Sequence, residues 1–161
     1  MQLVEITGDN WLDVLCLTTN ETITVKGGGE PYEAKGMPSL CEEYVASNAL
    51  SIVQSVYEPG WVVKAIEHEG ELIGFTMFGF NEEKNFYELC RIMIDRKHQN
   101  KGFGTQAINM ILDEMKARFD CKEVYLSTDP ENERGKHVYE KIGFRSEHEM
   151  LDDEELFKYV Y

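Results

Sequence analysis

The segment from Leu89 to Phe119 runs from an apolar, strand-like stretch through a glycine-bearing turn into a long amphipathic helix, and few folds accommodate that order. The centre of the turn reads Gln99-Asn100-Lys101-Gly102-Phe103-Gly104-Thr105. Two glycines let the backbone bend sharply and approach a ligand with no side chain in the way. The first amides of the following helix have no partner inside it and face outward, where an anion accepts from them. Lys101 adds positive charge. A second strand-to-helix crossing, Leu126 to Arg134, follows directly and contains Asn132. Adjacent parallel strands that each lead into a helix place both helix N-termini at one end of the sheet. Tyr139 lies seven residues after Asn132, about two helical turns on, so its ring is able to point back toward that end.

The remaining pattern supplies the rest of a sheet. Leu3, Val4 and Ile6 suggest a first strand, and Asp9 suggests the cap of a helix carrying Leu12, Leu15 and Cys16. Residues 26–38, rich in Gly and Pro, read as an irregular loop. Ser39, with Glu42 at a capping-box spacing, opens a second helix with Val45, Ala49, Ile52, Val53 and Val56 on one face, ended by Pro59-Gly60. Trp61 to Ile66 and Leu72 to Phe80 form a hairpin about Glu67 to Glu71. Asn81 to Asn85 is a polar turn before a strand from Phe86 to Ile94. The helix from about Phe103 to Phe119 carries Ile108, Ile111, Leu112 and Met115 on one stripe. A strand at Val124 to Ser127, a helix at Glu133 to Ile142 and a closing hairpin, Phe144 to Met150 with Leu156 to Tyr161, complete the chain. The expectation is an α/β (α+β) fold in a single domain, residues 1–161: a mixed sheet of about six to seven strands with helices on both faces.

Charge narrows the partners. The chain of 161 residues has 30 acidic against 16 basic residues, a net charge of −14. Phosphate contacts dominate nucleic-acid binding and need Lys and Arg, so neither nucleic acid nor an anionic membrane is an expected partner. The same field attracts cations: either it steers a polycationic substrate into a cleft, or it serves only to keep the chain in solution. Cys16, Cys41, Cys90 and Cys121 show no Cys-x-x-Cys pair or Cys/His ligand spacing, and no metal is expected. The N-terminus lacks the features of a signal peptide, and no apolar run approaches the roughly 20 residues of a membrane span. The expected location is cytoplasmic, with reduced thiols.

The glycine turn departs from the dinucleotide fingerprint, because Gln106 and Ala107 stand where that pattern continues, and it lacks the Gly-Lys-Ser/Thr of a P-loop. What it resembles is the Gln/Arg-x-x-Gly-x-Gly/Ala signature of the GNAT superfamily of acyl-CoA-dependent N-acyltransferases. The second crossing is similar too: Asn132, Gly135, Val138-Tyr139-Glu140-Lys141 and Gly143-Phe144 resemble the family's Asn…Leu-Tyr-x-x-x-Gly-Phe run. The likeness covers residues 61–146 well. Val45 to Ala49 and Tyr57 to Trp61 resemble a narrower group, the bacterial spermine/spermidine (diamine) acetyltransferases. Lys26 to Met37 is longer than the same stretch in that group.

The resemblance implies the GNAT fold with a splayed central strand pair, acetyl-CoA as co-substrate and no metal. It implies that Gln99, Asn100, Lys101, Gly102, Phe103, Gly104 and Thr105 wrap the pyrophosphate through backbone amides, that Ile92, Met93 and Ile94 offer backbone groups to the pantetheine arm, and that a bulge opens the slot between the strands. By the same analogy Asn132 binds the pantetheine or orients its crossing, and Lys136 approaches the phosphates. Tyr139 protonates the leaving thiolate, and an amide near Ile92 stabilises the oxyanion. Glu88 is the candidate base, Cys90 a thiol lining the site, and His98 and His137 surface or phosphate-proximal groups. Glu30, Glu33, Glu42, Glu43 and Glu58 are candidates for an acidic entrance. The implied activity is transfer of acetyl to a primary amine, of a polyamine first. Another amine (an amino acid, an aminoglycoside or a protein N-terminus) and a non-catalytic acyl-CoA-binding module stand as alternatives. Members are often dimers, which makes a homodimer the corresponding expectation.

Overall fold

A computed structural model describes residues 1–19 and 46–161, together with the backbone of residues 22–25 and 32–35. Seven strands form one mixed sheet in the order β1-β4-β5-β6-β7-β9-β8. They are β1 (Gln2–Val4), β4 (Trp61–His68), β5 (Glu71–Asn81), β6 (Phe86–Ile94), β7 (Glu123–Thr128), β8 (Arg145–Leu151) and β9 (Glu154–Val160). Among the described residues four α-helices accompany them: α1 (Trp11–Cys16), α2 (Asn48–Tyr57), α3 (Phe103–Phe119) and α4 (Glu133–Ile142).

Both faces of the sheet are covered because its strands alternate two apolar sets. On one face Phe78, Leu89, Val124, Leu126 and Phe157 pack with Ile108, Ile111 and Met115 of α3, and Val138, Tyr139 and Ile142 of α4 close over them. On the other, Ala65, Phe75, Met77 and Met93 pack with Val14 of α1 and Ile52 of α2. No helix among the described residues is long and apolar enough to cross a membrane.

Four local expectations are corrected. Tyr32–Lys35 is a strand (β3) paired with Thr22–Val25 (β2), where the Gly/Pro content predicted only loop. The α1 N-cap is Asn10 rather than Asp9; the Asn10 side chain turns back to accept from Thr7 N–H at 2.8 Å. The second helix begins at Asn48 rather than Ser39. Ser47 caps it by accepting from Leu50 N–H at 3.2 Å, while buried Asn48 donates to Val14 O at 2.9 Å and ties it to α1. The Ser39/Glu42 pair and most of the Lys26–Met37 stretch lie outside the described residues. The β4–β5 turn is tighter than expected: Glu69 and Gly70 both have positive φ, 53° and 83°, as a two-residue hairpin turn requires.

The arrangement at the sheet's centre matters most for function. Strands β6 and β7 are parallel and meet in register only at Glu88 and Tyr125. Beyond that pair they part. The cause is a bulge in β6: Phe78 of β5 faces Leu89, whereas the adjacent Met77 faces Arg91, leaving Cys90 as the extra residue. The bulge bends β6 away from β7 and leaves a slot between them.

Candidate active site

The slot is a cleft of about 320 Å³. Leu89 to Ile94 of β6 form one wall, Leu126 to Thr128 of β7 the other, and Gln99, Gly104, Asn132 and Arg134 stand at its mouth. Both strand-to-helix crossings therefore open on one end of the sheet.

The first crossing is pinned before it reaches α3. Buried Asp95 accepts from Lys97 N–H at 2.9 Å and from Thr18 N–H at 3.2 Å. Gln99 donates to Ile94 O at 2.9 Å and accepts from Arg134 Nη1 at 2.9 Å, so one side chain joins the two crossings. Asn100 and Gly102 take left-handed φ values of 61° and 80°, which turns the chain into the helix. The α3 ladder starts at Gln106 N–H to Gly102 O, and the amides ahead of it precede any helical acceptor. Gly104 shares a helix face with Ile108, which also lines the slot. A Cβ built on Gly102 or Gly104 meets no heavy atom within 4 Å. The space a pyrophosphate needs is kept clear by the missing side chains, and the residues present fit that group. Of the other residues in this turn, Phe103 packs beside His68 with centroids 4.6 Å apart, and Lys101 is exposed.

Asn132 is the structural hinge of the second crossing. Its Oδ1 accepts from Gly135 N–H at 2.9 Å and caps α4, and its Nδ2 donates to Thr128 Oγ1 at 2.9 Å. A Cβ on Gly135 would lie 2.5 Å from Asn132 Nδ2, so only glycine leaves room for the cap. Lys136 does not stand at the slot: its Nζ pairs with Glu133 at 2.7 Å and donates to Pro130 O at 2.7 Å. Arg134, two residues earlier, lines the mouth instead and was not singled out from the sequence. Two residues turn a helix by about 200°, which sets these cations on opposite sides.

Tyr139 lines the slot from the α4 side, its ring against Phe144 and Phe157 with centroids 6.2 Å and 6.3 Å away. Burial, then the nearby Glu154 charge, push its hydroxyl up to about 12, while the Thr128 hydroxyl beside it pulls the other way. It is therefore protonated across the neutral range, as a proton donor must be.

A second cleft, of about 830 Å³, meets the slot from the α2 side. Among the described residues seven carboxylates line it, Glu58, Glu82, Glu83, Glu88, Asp129, Asp152 and Glu154, against the two cations Lys84 and Arg91. Glu88 is buried, with Oε2 accepting from Asn81 Nδ2 at 2.7 Å. Glu58 accepts from Gln54 at 2.7 Å and Trp61 at 3.3 Å. The other carboxylates considered for an entrance, Glu30, Glu42 and Glu43, lie outside the described residues, as does the side chain of Glu33. His98 faces away, 3.2 Å from Glu71.

Cys90 is no nucleophile. Burial pushes its thiol up to about 12, with Arg91 opposing, and Arg91 Nη1 approaches its Sγ at 2.8 Å. The thiol is then protonated at pH 8. Iodoacetamide at pH 8 is expected to modify exposed Cys16 and spare Cys90 when peptides are mapped by mass spectrometry. Cys90→Ala is expected to keep kcat within about threefold, the outcome for a thiol that stays protonated and forms no covalent intermediate.

The sequence matches the profile of the Acetyltransferase (GNAT) family over residues 25–144. A spermidine N(1)-acetyltransferase of Vibrio cholerae serotype O1 is 33% identical over 139 residues, 85% of this chain and 74% of that protein. Among solved structures, spermidine/spermine N-acetyltransferase SpeG from Vibrio cholerae superposes with a TM-score of 0.65 at 20% identity, covering 99% of this chain and 91% of that one. PaiA N-acetyltransferase from Thermoplasma acidophilum, in complex with coenzyme A, gives a TM-score of 0.57 at 21% identity over 70% of this chain and 68% of its own.

Proposed function

This chain belongs to the GNAT family of acetyltransferases, and from that premise we propose that it acetylates a primary amine of a polyamine such as spermidine or spermine. The observation that carries the acceptor is the acidic cleft, in which seven carboxylates of the described residues stand against two cations and which meets the slot at the β6 bulge. A chain of ammonium groups entering there exchanges water for carboxylates along its length, and the net charge of −14 favours its approach.

Acetyl-CoA, when bound, supplies the thioester acyl group. The amides from Gln99 to Thr105 hold its pyrophosphate at the α3 N-terminus, and the backbone of Ile92, Met93 and Ile94 pairs with its arm along the open edge of β6. Arg134 adds a cation to the mouth, and Asn132 positions α4 by capping it. Tyr139 holds the proton that the departing sulfur takes. Only the neutral amine attacks, and removing its proton near pH 7.4 costs about 4 kcal/mol for a pKa of about 10.4. Glu88 and Glu154 are the carboxylates of the acidic cleft nearest that event.

The reading is tested by thiol release from acetyl-CoA with a panel of amines. Spermidine and spermine are expected to turn over with KM at least about tenfold below that of a monoamine of matched chain length, and raising ionic strength from about 0.05 M to 0.5 M is expected to raise the polyamine KM severalfold. Turnover confined to amino acids, aminoglycosides or protein N-termini overturns the polyamine acceptor. Binding of acetyl-CoA with no turnover on any amine overturns catalysis as the role of this site.

A further inference from the structure

The proton that leaves the acceptor amine needs a destination at the place where amine and thioester meet. That place is narrow: among the described residues, only Cys90, Arg91 and Ser127 line both the slot and the acidic cleft. Arg91 is a cation and accepts no proton; its Nη1 donates to Cys90 O at 2.9 Å and approaches the Cys90 Sγ. Ser127 is coupled to a carboxylate: its Oγ donates to Glu154 Oε2 at 2.6 Å. The contact follows from register. Ser127 lies opposite Leu156, two residues beyond Glu154 on β9, and side chains two apart share a face. That face is opposite the one on which Val124 and Leu126 enter the core beneath α3. Because β6 turns away after Glu88, the Ser127 side chain is left open to the junction. Glu88, like Glu154, lines the acidic cleft and not the slot, but its hydrogen bond is to Asn81, which lies outside the junction.

We propose that Ser127 and Glu154 are the proton-accepting pair of the acetyl transfer. The assignment rests on the acetyltransferase reading above. The ammonium passes a proton to Ser127 Oγ as the Ser127 proton passes to Glu154, leaving a neutral amine, a serine hydroxyl and a carboxylic acid. The nitrogen lone pair forms the N–C bond, the C–S bond breaks, and Tyr139 gives its proton to the sulfur. The second N–H proton, made acidic by the new N–C bond, leaves through solvent and restores Tyr139, and Glu154 returns its own to solvent. Ser127 touches the amine; Glu154 acts through it. Other groups facing the pair are Glu88 and Arg91 of β6, Lys84 beside Asp152, Asp129 at the rim and Tyr139. The pair also serves the leaving group. The Glu154 charge helps hold the Tyr139 proton in place, and that hold is released when Glu154 is protonated, just before the sulfur needs a proton.

The test is kcat and kcat/KM between pH 6.5 and 10 for wild type, Glu154→Gln, Ser127→Ala, Ser127→Thr and Glu88→Gln, with acetyl-CoA affinity measured by calorimetry as the check on folding. Glu154→Gln and Ser127→Ala are expected to lose about 100-fold in kcat with spermidine at pH 7 and to recover as pH approaches 10. The deficit is also expected to shrink at pH 7 with an acceptor amine of pKa about 7, which needs no base. Ser127→Thr is expected to restore most of the rate. Glu88→Gln is expected to raise the spermidine KM with a pH profile parallel to wild type. A deficit in Glu154→Gln that is constant across pH and across amines, or a pH-dependent deficit in Glu88→Gln alone, overturns the assignment. A wild-type protein that acetylates no amine would instead overturn the reading on which it rests.

Discussion

Tyr139→Phe is expected to lower kcat about a thousandfold with spermidine while leaving the dissociation constant of acetyl-CoA within about twofold. The substitution keeps the ring against Phe144 and Phe157 and removes only the hydroxyl. What is lost structurally is one hydrogen bond with Thr128, about 1 kcal/mol, so the protein stays folded and the slot keeps its shape. What is lost chemically, on the mechanism proposed above, is the proton for the sulfur. The pH profile gives the sign of the effect. As the proposed donor Tyr139 acts in its protonated form, and with its hydroxyl pushed up to about 12 the wild-type rate is expected to show no limit from tyrosine ionisation below about pH 11. An alkaline limb near pH 10 would place an ordinary, solvated phenol at the slot and contradict the environment described. Turnover by Tyr139→Phe within tenfold of wild type would remove Tyr139 from the proton path and leave that proton to solvent.

The parts of this molecule that sequence reveals are those written in one element. The strand Phe86–Ile94 and the helices Phe103–Phe119 and Glu133–Ile142 fall where their apolar spacing predicts, because periodic burial and local caps act within a few residues. The start of α2 shows the limit. Ser39 and Glu42 have capping-box spacing, yet Ser47 is the cap, since the Asn48 bond to Val14 O fixes the helix against α1 through a contact 34 residues away that no local pattern encodes. Lys136 and Arg134 pose the same problem within a helix: both are cations near the phosphate end, and only the rotation of α4 on the sheet decides which one faces the slot. The bulge at Cys90 follows from pairing with β5, not from the composition of β6. Ser127 and Glu154 meet through the register of two strands 27 residues apart. For that reason Glu88, which lies on the central strand itself, was the carboxylate legible in the sequence, while the one coupled to the junction was not.

Gly104→Val is expected to weaken acetyl-CoA binding about a thousandfold, the larger effect on the donor side. Gly104 sits in the first turn of α3 and faces the slot with Ile108; the room beside it is empty of protein to 4 Å. A valine there projects two methyl groups into the space where amides of the turn and a pyrophosphate must come within hydrogen-bond distance. Losing two charge-assisted amide contacts at about 2 kcal/mol each gives about 4 kcal/mol, which is about three decades in dissociation constant. The helix itself does not suffer, because valine is no worse than glycine in a helix by propensity, and the thermal midpoint is expected to fall by no more than a degree or two. Gly104→Ala separates space from backbone freedom. One methyl group leaves most of the cradle open, so its affinity is expected to stay within about tenfold of wild type, whereas a need for glycine's conformational range would make alanine as damaging as valine. Calorimetric titration with coenzyme A reads binding directly and needs no acceptor. Equal affinity in wild type and Gly104→Val would mean that the pyrophosphate does not dock at the α3 N-terminus, and the glycine turn would then be a device of chain geometry alone.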